Sequence, residues 1–289
     1  MKNQKTGTVA IIGRPNAGKS TLLNNILKQK VSITSPKPQT TRFAIQAVYE
    51  DDRGQIVFID TPGIMGKVVD PLARRINLRA EEQLNQHIDL VIYLVDHTRS
   101  RDLEENKTLG LVRKFKGHKI LVINKIDVVK PTHIVEYKFM EEEFDEVVEV
   151  SAFARKNLGH LLEVIFEFLP EGKPAIDTKT LIQPGLNLDS KMFLAEIVRE
   201  KAFLFLRREV PYSMTAVIDD TIDRDNGVLY VKARILTSAD RYKSMIIGRN
   251  GTMIKEISMA ARKELETATN RKVYLDLTVE TDTHWMEYV

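Results

Sequence analysis

Two periodicities alternate along residues 8–169, and this alternation limits the fold more than any other feature of the sequence. Short runs rich in apolar and β-branched residues are separated by longer segments with helical spacing. The apolar runs are Thr8–Ile12, Gln55–Ile59, Leu90–Val95, Lys119–Ile123 and Val147–Val150. Because strands that are apolar on both faces must be covered on both, this order predicts an α/β domain with a mostly parallel sheet and helices on each side. A weaker alternation over residues 42–49 predicts an antiparallel edge strand, which brings the sheet to six strands.

The composition changes after a helical segment that ends at Pro170. The next residues, EGKPAIDTKTLIQPG, contain two prolines and two glycines and little apolar periodicity, which is typical of a linker. A chain of 289 residues is long enough for two domains. We therefore predict a first domain at residues 1–172, a linker at 173–188 and a second domain at 189–289.

The second domain has its own order of predicted elements: helix, strand, strand, helix, glycine loop, helix, strand. The segment Val228–Leu236 alternates between apolar and polar residues, as a strand with one buried face does. We predict an α+β domain. Three methionines of the helices beside the glycine loop are expected in its core: Met245, Met253 and Met259.

The first glycine loop, GRPNAGKS at residues 13–20, lies between a predicted strand and a predicted helix. Its spacing is that of a phosphate-binding loop, in which backbone amides surround the phosphates. Lys19 would reach the β- and γ-phosphates, where it would act in catalysis, and Ser20 would bind Mg²⁺. The predicted nucleotide-binding residues of this loop are Gly13, Asn16, Ala17, Gly18, Lys19, Ser20 and Thr21.

Asp60-Thr61-Pro62-Gly63 follows the apolar run QIVFI, so the Asp60 carboxylate is expected at the carboxyl edge of the sheet, where ligands bind in such folds. There Asp60 would hold Mg²⁺ and the Gly63 amide would contact the γ-phosphate. By itself this tetrapeptide is more often an ordinary turn. Its position after a phosphate-binding loop favours the functional interpretation.

A third motif, Asn124-Lys125-Ile126-Asp127, follows the strand-like run KILVI. A carboxylate at Asp127 would accept hydrogen bonds from both donor nitrogens of guanine, and adenine would leave buried polar groups unpaired. The alternative is a solvated turn. Backbone amides of Ser151 and Ala152, which follow VVEV, are expected to contact the same base.

The second glycine loop, Gly248-Arg249-Asn250-Gly251, has isoleucines on both sides and fits the KH pattern Ile-Gly-x-x-Gly-x-x-Ile. In KH domains this loop clamps the backbone of about four nucleotides of single-stranded RNA. Residues 241–272 hold eight basic side chains and three glutamates, whereas residues 171–289 hold 18 of each sign, so the positive charge is local to the loop. The predicted RNA-binding residues are Ile247, Gly248, Arg249, Asn250, Gly251, Lys255 and Arg262. Trp285 is expected to cover the sheet, with stacking on a base as the alternative.

The net charge of +3 excludes a polycationic surface over the whole molecule, and the absence of cysteine excludes disulfides and thiolate chemistry. The apolar run Leu90–Val95 is too short to span a bilayer, and the first residues, MKNQKTG, do not resemble a signal peptide. We expect a cytoplasmic monomer.

The order of four motifs resembles that of translation-factor-related GTPases: GRPNAGKS, DTPG, NKID and SAF. Together with VPYSM and IIGRNG in the second domain, these motifs make the chain closely resemble the Era family of ribosome-assembly GTPases. The resemblance implies a P-loop GTPase domain with a type II KH domain, GTP or GDP as ligand, and Mg²⁺. It implies that Thr41 completes the Mg²⁺ coordination and takes part in catalysis with Gly63, with Thr40 as the alternative ligand. It also implies binding to 16S ribosomal RNA near its 3′ end, assistance in maturation of the 30S subunit precursor, and peripheral association with the inner membrane.

Ile64 follows the DTPG motif, where Ras-like GTPases have a glutamine that orients the attacking water. An isoleucine cannot do this, so slow intrinsic hydrolysis is expected. By resemblance to other GTPases with an apolar residue at this position, Asn16 would bind K⁺ near the phosphates.

Two other functions remain open from the sequence. The chain could be an RNA-binding scaffold whose nucleotide is mainly structural, or a metabolic phosphoryl-transfer enzyme that uses the same loop. The NKID motif weighs against the second.

Overall fold

A computed structural model describes residues 4–28, 45–60, 88–176, 190–269 and 271–288. The chain forms two compact units, Met1–Asn187 and Leu188–Val289. Most of the predicted linker at 173–188 lies outside the described residues, as do residues 72–87, one of the segments with helical spacing.

The first unit alternates strands and helices, as predicted. Its elements are β1 (Lys5–Ile12), α1 (Lys19–Leu27), β2 (Ile45–Asp51), β3 (Gly54–Asp60), β4 (Leu90–Asp96), α2 (Leu103–Lys114), β5 (His118–Asn124), α3 (Ile134–Lys138), β6 (Glu146–Glu149) and α4 (Leu158–Phe168). The strand order in the sheet is β2-β3-β1-β4-β5-β6. Only β2 pairs antiparallel, with β3, so the prediction of a mostly parallel six-stranded sheet with an antiparallel edge strand is confirmed.

The core of this unit lies on the central strands. Every residue of β3 and β4 is buried, as expected for apolar strands that are covered on both faces. From β1 the chain goes first to one side of the sheet, to β2 and β3, and then to the other side, to β4. The carboxyl ends of the parallel strands therefore form a crevice beside β1, which is where ligands bind in open α/β sheets.

The amino end of β1 is joined to the chain that leaves this unit. Lys5 and Glu171 form an antiparallel bridge, the Thr6 amide donates to the Pro170 carbonyl at 3.0 Å, and the Gly172 amide donates to the Gln4 carbonyl at 2.9 Å. The connection to the second unit therefore starts near the amino ends of the parallel strands, whereas the crevice lies at their carboxyl ends.

The second unit has the predicted order of helices and strands. Its elements are α5 (Ser190–Phe205), β7 (Met214–Asp223), β8 (Leu229–Thr237), α6 (Asp240–Ile247), α7 (Thr252–Thr269) and β9 (Val273–Thr281). The sheet order is β7-β8-β9, with an antiparallel first pair and a parallel second pair. In β8, Leu229, Val231 and Ala233 are buried while Lys232 is exposed, which is the predicted alternation.

The prediction that the helix methionines fill the core is wrong for two of them. The exposed fractions of Met245 and Met259 are 52% and 58%. The buried residues of α7 include Ile257, and Met259 follows it by two positions, which is about 200° around the helix. Trp285, by contrast, is 1% exposed, so it packs inside the unit and cannot stack on a base.

Candidate functional site

The phosphate-binding loop is held in a conformation that requires its glycines. Gly18 has a left-handed φ of 105°, and a Cβ there would overlap the Asn124 side-chain amide. A Cβ on Gly13 would overlap the Leu94 carbonyl oxygen. Asn16 is also left-handed, with φ 63°. Helix α1 starts at Lys19, so the loop presents its backbone to an anion at a helix amino terminus.

Lys19 is buried against this loop. Its ammonium donates to the carbonyl oxygens of Gly13, at 2.8 Å, and Arg14, at 3.0 Å. Burial lowers the pKa of Lys19 to about 8, with a partial opposing effect of Asp60. The two carbonyl oxygens are neutral, so they do not balance the charge of the buried ammonium. A dianionic phosphate would balance it and would stabilise the charged form of Lys19.

Ser20 and Asp60 come together at the open end of the loop. The Ser20 hydroxyl donates to Asp60 Oδ2 at 3.0 Å. A hydroxyl and a carboxylate at this separation beside a phosphate site suit Mg²⁺, which takes few protein oxygens and completes its shell with phosphates and water. Thr40, Thr41, Gly63 and Ile64 lie outside the described residues. Within the described part of the chain no three His, Cys, Asp or Glu side chains are grouped as a metal site.

The predicted base-binding residues meet at the ends of β5 and β6. Asn124 connects two loops, since its Nδ2 donates to the Ala17 carbonyl at 2.8 Å and its Oδ1 accepts from the Ala152 amide at 2.9 Å. The Ser151 hydroxyl donates to Asp127 and accepts from the Ala154 amide at 2.9 Å. We expected only backbone contacts from Ser151, whereas its side chain also orients the carboxylate of Asp127.

Asp96, at the end of β4, was not predicted as part of the site. Its Oδ2 lies 2.6 Å from Lys125 Nζ. Burial raises the pKa of Asp96, but the hydrogen bonds from Lys125 and Thr98 outweigh it and bring the pKa below its usual value. Asp96 therefore stays ionised and holds Lys125 beside the base site. Asp96 directly follows the apolar run Leu90–Val95, as Asp60 follows Gln55–Ile59. This position could have identified Asp96 as a site residue from the sequence.

A buried ion pair lies behind the phosphate-binding loop. Arg14 is completely buried, and its Nε lies 2.9 Å from Glu105 Oε2. Tyr93 donates to Glu105 Oε1 at 2.5 Å, and Tyr137 donates to Glu105 Oε2 at 3.3 Å. Burial raises the pKa of Glu105, with the hydrogen bond from Tyr93 as the largest opposing effect. No sequence motif pointed to this cluster.

The second glycine loop is a tight turn between α6 and α7. Gly248, Asn250 and Gly251 have φ values of 74°, 53° and 74°. A Cβ on Gly248 would lie 2.6 Å from the Met253 Cβ, so only glycine fits there. This turn brings exposed backbone to the start of α7, where a phosphate can approach.

The basic side chains predicted to bind RNA are accessible to solvent. Arg249, Lys255 and Arg262 are all exposed. On α7, Lys255, Met259 and Arg262 stand four and three residues apart and so follow one helical face. The exposed Met259 thus lies between two basic residues, where a thioether gives an apolar contact for a base.

Two family models match the chain. One, described as 50S ribosome-binding GTPase, matches residues 8–125, and the other, described as KH domain, matches residues 209–286. Among curated proteins, the GTPase Era of Halothermothrix orenii is 39% identical over 285 residues, 98% of this chain and 95% of that protein. The GTPase Era of Thermotoga maritima is 39% identical over 289 residues, covering 98% and 94%.

Two solved structures resemble the whole chain. A crystal structure of an Aquifex aeolicus Era variant bound to GDP·AlF4⁻ has a TM-score of 0.89 and 37% identity, and covers 98% of this chain and 96% of that one. A crystal structure of Era in complex with MgGDPNP and nucleotides 1506–1542 of 16S ribosomal RNA has the same TM-score and identity, and covers 98% and 95%.

Proposed function

This chain belongs to the GTPase Era family, and we propose that it works as a GTP-hydrolysing switch that binds 16S ribosomal RNA near its 3′ end and assists maturation of the 30S subunit. The observation that carries the proposal is the similarity over 98% of the chain to an Era that was crystallised with both MgGDPNP and a 16S RNA fragment. The description of the matching GTPase family model names the 50S subunit, which is the large ribosomal subunit. We give more weight to the full-length relative because its match includes the KH domain.

In this proposal the nucleotide lies along the carboxyl edge of the first sheet. Lys19 and the loop amides bind the phosphates, and Ser20 and Asp60 hold Mg²⁺, which neutralises charge between the β- and γ-phosphates. Asp127, oriented by Ser151, selects guanine. Thr41 and Gly63 are proposed to contact the Mg²⁺ and the γ-phosphate, as the family resemblance implies.

K⁺ is proposed as a second cation, held by Asn16. The exposure of the Asn16 side chain in the phosphate-binding loop supports the assignment, because an amide oxygen there can reach a cation beside the phosphates. We expect GTP hydrolysis to be faster in KCl than in NaCl at equal ionic strength, and Asn16→Ala to remove the difference. Equal rates of the unchanged protein in the two salts would contradict the K⁺ site.

The switch requires that the RNA affinity depend on the nucleotide. Contacts made only by a γ-phosphate are lost on hydrolysis, and we propose that Thr41 and Gly63 make such contacts. We expect an RNA fragment equivalent to nucleotides 1506–1542 to bind at least about fivefold more tightly with GDPNP than with GDP, measured by fluorescence anisotropy.

Arg249→Ala is the control for the RNA site. It should weaken RNA binding with either nucleotide, leave GTP hydrolysis unchanged, and reduce the log–log salt slope by about 0.7. If the unchanged protein binds the RNA equally with GDPNP and GDP, the nucleotide is structural and the protein is a scaffold.

The cellular setting stays a prediction. No helix among the described residues is long and apolar enough to cross a bilayer. Peripheral binding to the inner membrane is therefore proposed only from the family resemblance, and co-sedimentation of the purified chain with anionic vesicles would test it. A monomer in the cytoplasm is likewise proposed, and sedimentation of the RNA-free chain would check the monomer.

A further inference from the structure

One edge of the first sheet carries exposed apolar side chains that the nucleotide and RNA sites do not use. The exposed fractions of Val135 and Phe139 are 77% and 89%. Phe139 directly follows α3, and its amide donates to the Val135 carbonyl at 3.1 Å, so the two residues lie one helical turn apart on the same face. An exposed pair of this size is more typical of a contact surface than of a solvated helix.

An acidic cleft lies beside the chain on both sides of Phe139, since Lys138 and Glu141 both line it. It has a volume of about 450 Å³, lies between the end of α3 and strand β6, and is lined by five carboxylates. These are Glu141, Glu142, Asp145, Glu146 and Glu149. Residues 133–149 contain seven acidic side chains and one lysine, Lys138.

Three of the carboxylates in the cleft are not neutralised. Glu149 is paired with Lys138 at 2.6 Å, and Asp145 lies 3.3 Å from His118. Glu141, Glu142 and Glu146 are exposed, and no Lys, Arg or His of the described chain lies within ion-pair distance of them. Their mutual repulsion is relieved by any cation that enters the cleft.

The cleft also runs along an open sheet edge. In the described part of the chain β6 pairs with β5 alone, so one side of β6 has no strand partner. Acidic residues on an edge strand protect it from pairing with other chains, which explains Glu146 and Glu149 but not the exposed Phe139. Backbone groups, carboxylates and an apolar pair in one place suit an extended segment with alternating basic and apolar side chains.

We propose that this surface, formed by Val135, Phe139 and the acidic cleft, binds an extended, lysine- or arginine-rich segment of a partner protein. Basic side chains of the segment enter the cleft beside Glu142 and Glu146, and its apolar side chains cover Phe139. RNA is a poor match because its phosphates would face the unneutralised carboxylates. The surface belongs to the GTPase unit and goes beyond nucleotide and RNA binding.

The test uses the full chain with GDP and a fluorescein-labelled twelve-residue probe of five lysines and two leucines spaced by serines. A second probe carries glutamates for lysines, and a third carries serines for leucines. We expect the first probe to bind and the second not to bind. The third should bind several-fold more weakly than the first, because it cannot cover Phe139.

Variants locate the binding. Glu142→Lys with Glu146→Lys should weaken the first probe by about tenfold or more, and Phe139→Ser by several-fold. Glu163→Lys is the matched control, since it changes an exposed carboxylate on α4 outside the cleft and should leave the affinity unchanged. All of these side chains are exposed, so GTP hydrolysis should not change. Absence of binding, or equal loss with Glu163→Lys, overturns the proposal.

The natural occupant is tested by a benzophenone side chain at position 139 of the full chain in cells, followed by sequencing of the crosslinked product. We expect the crosslinked product to contain a basic segment with apolar residues. We also expect this crosslink to be lost when Glu142→Lys and Glu146→Lys are introduced. Crosslinks to RNA, to a second copy of this chain or to a segment without basic residues contradict it.

Discussion

At the scale of single residues, the phosphate-binding loop depends on a side chain that never meets the nucleotide. The Arg14 carbonyl accepts from Lys19, while the Arg14 guanidinium is paired with Glu105 on α2 in the interior. Removing one partner of a buried ion pair leaves a charge without compensation, which costs about 3–5 kcal/mol. Glu105 therefore acts through Arg14 as a positioning residue for the loop.

Glu105→Gln should lower the free energy of unfolding by about 3 kcal/mol and weaken GDP binding, because the substitution keeps the shape of the side chain but removes the buried partner of Arg14. The ion pair that remains, with the more exposed Asp102 at 3.3 Å, is the weaker one. Urea unfolding and a GDP titration measure the two effects. Glu104→Gln, one position earlier and only half-buried, should change stability by less than about 0.5 kcal/mol.

A double variant tests whether the two residues act together. Adding Arg14→Met to Glu105→Gln removes the charge that has lost its buried partner, so the combined loss of stability should be smaller than the sum of the single losses. Losses that simply add would mean that Arg14 and Glu105 stabilise the fold independently.

At the scale of elements, the turn between α6 and α7 is the most constrained feature of the second unit. Gly248 and Gly251 share a φ of 74°, but a Cβ on Gly251 would meet nothing within 4 Å, whereas one on Gly248 would lie 2.6 Å from the Met253 Cβ. Gly248, with ψ 171°, also lies in a backbone region that essentially only glycine adopts, so it carries both backbone strain and a clash.

Gly251→Ala should cost about 1–2 kcal/mol of stability in the second unit, from the left-handed backbone alone. Gly248→Ala should cost more and weaken RNA binding further, because alanine is strained in this backbone region and its Cβ would also clash with Met253. Thermal unfolding and RNA titration compare the two variants, and GTP hydrolysis without RNA should stay unchanged in both. Equal effects of the two would mean that the clash is relieved without moving the loop.

Elements and motifs were predictable where the sequence pattern is local. Apolar runs located the strands, although β1 starts at Lys5, earlier than its run, because pairing with β3 continues through Lys5, Thr6 and Gly7. Spacing located the glycine loops. The pair Arg14 and Glu105 could not be predicted, since it joins residues far apart in sequence and charged side chains are usually exposed. Met259 was misplaced because an apolar residue type was given more weight than its position on the helix.

At the scale of the whole molecule, the chain holds two sites in two units, and the proposed switch is a coupling between them. Thermodynamic linkage makes that coupling reciprocal. The factor by which GDPNP tightens RNA binding relative to GDP must equal the factor by which RNA favours GDPNP over GDP. A nucleotide competition experiment with and without the RNA fragment measures the second factor, and a factor of one there would contradict the switch.

The bridge between Lys5 and Glu171 restricts how such coupling is transmitted. It fixes the start of the tether at the amino end of β1, and an eight-residue strand separates that point from the phosphate-binding loop by roughly 25 Å. The connection to the second unit is thus held at the end of β1 that lies farther from the phosphate-binding loop. A change at the γ-phosphate therefore does not act directly on the residues that hold the start of this connection.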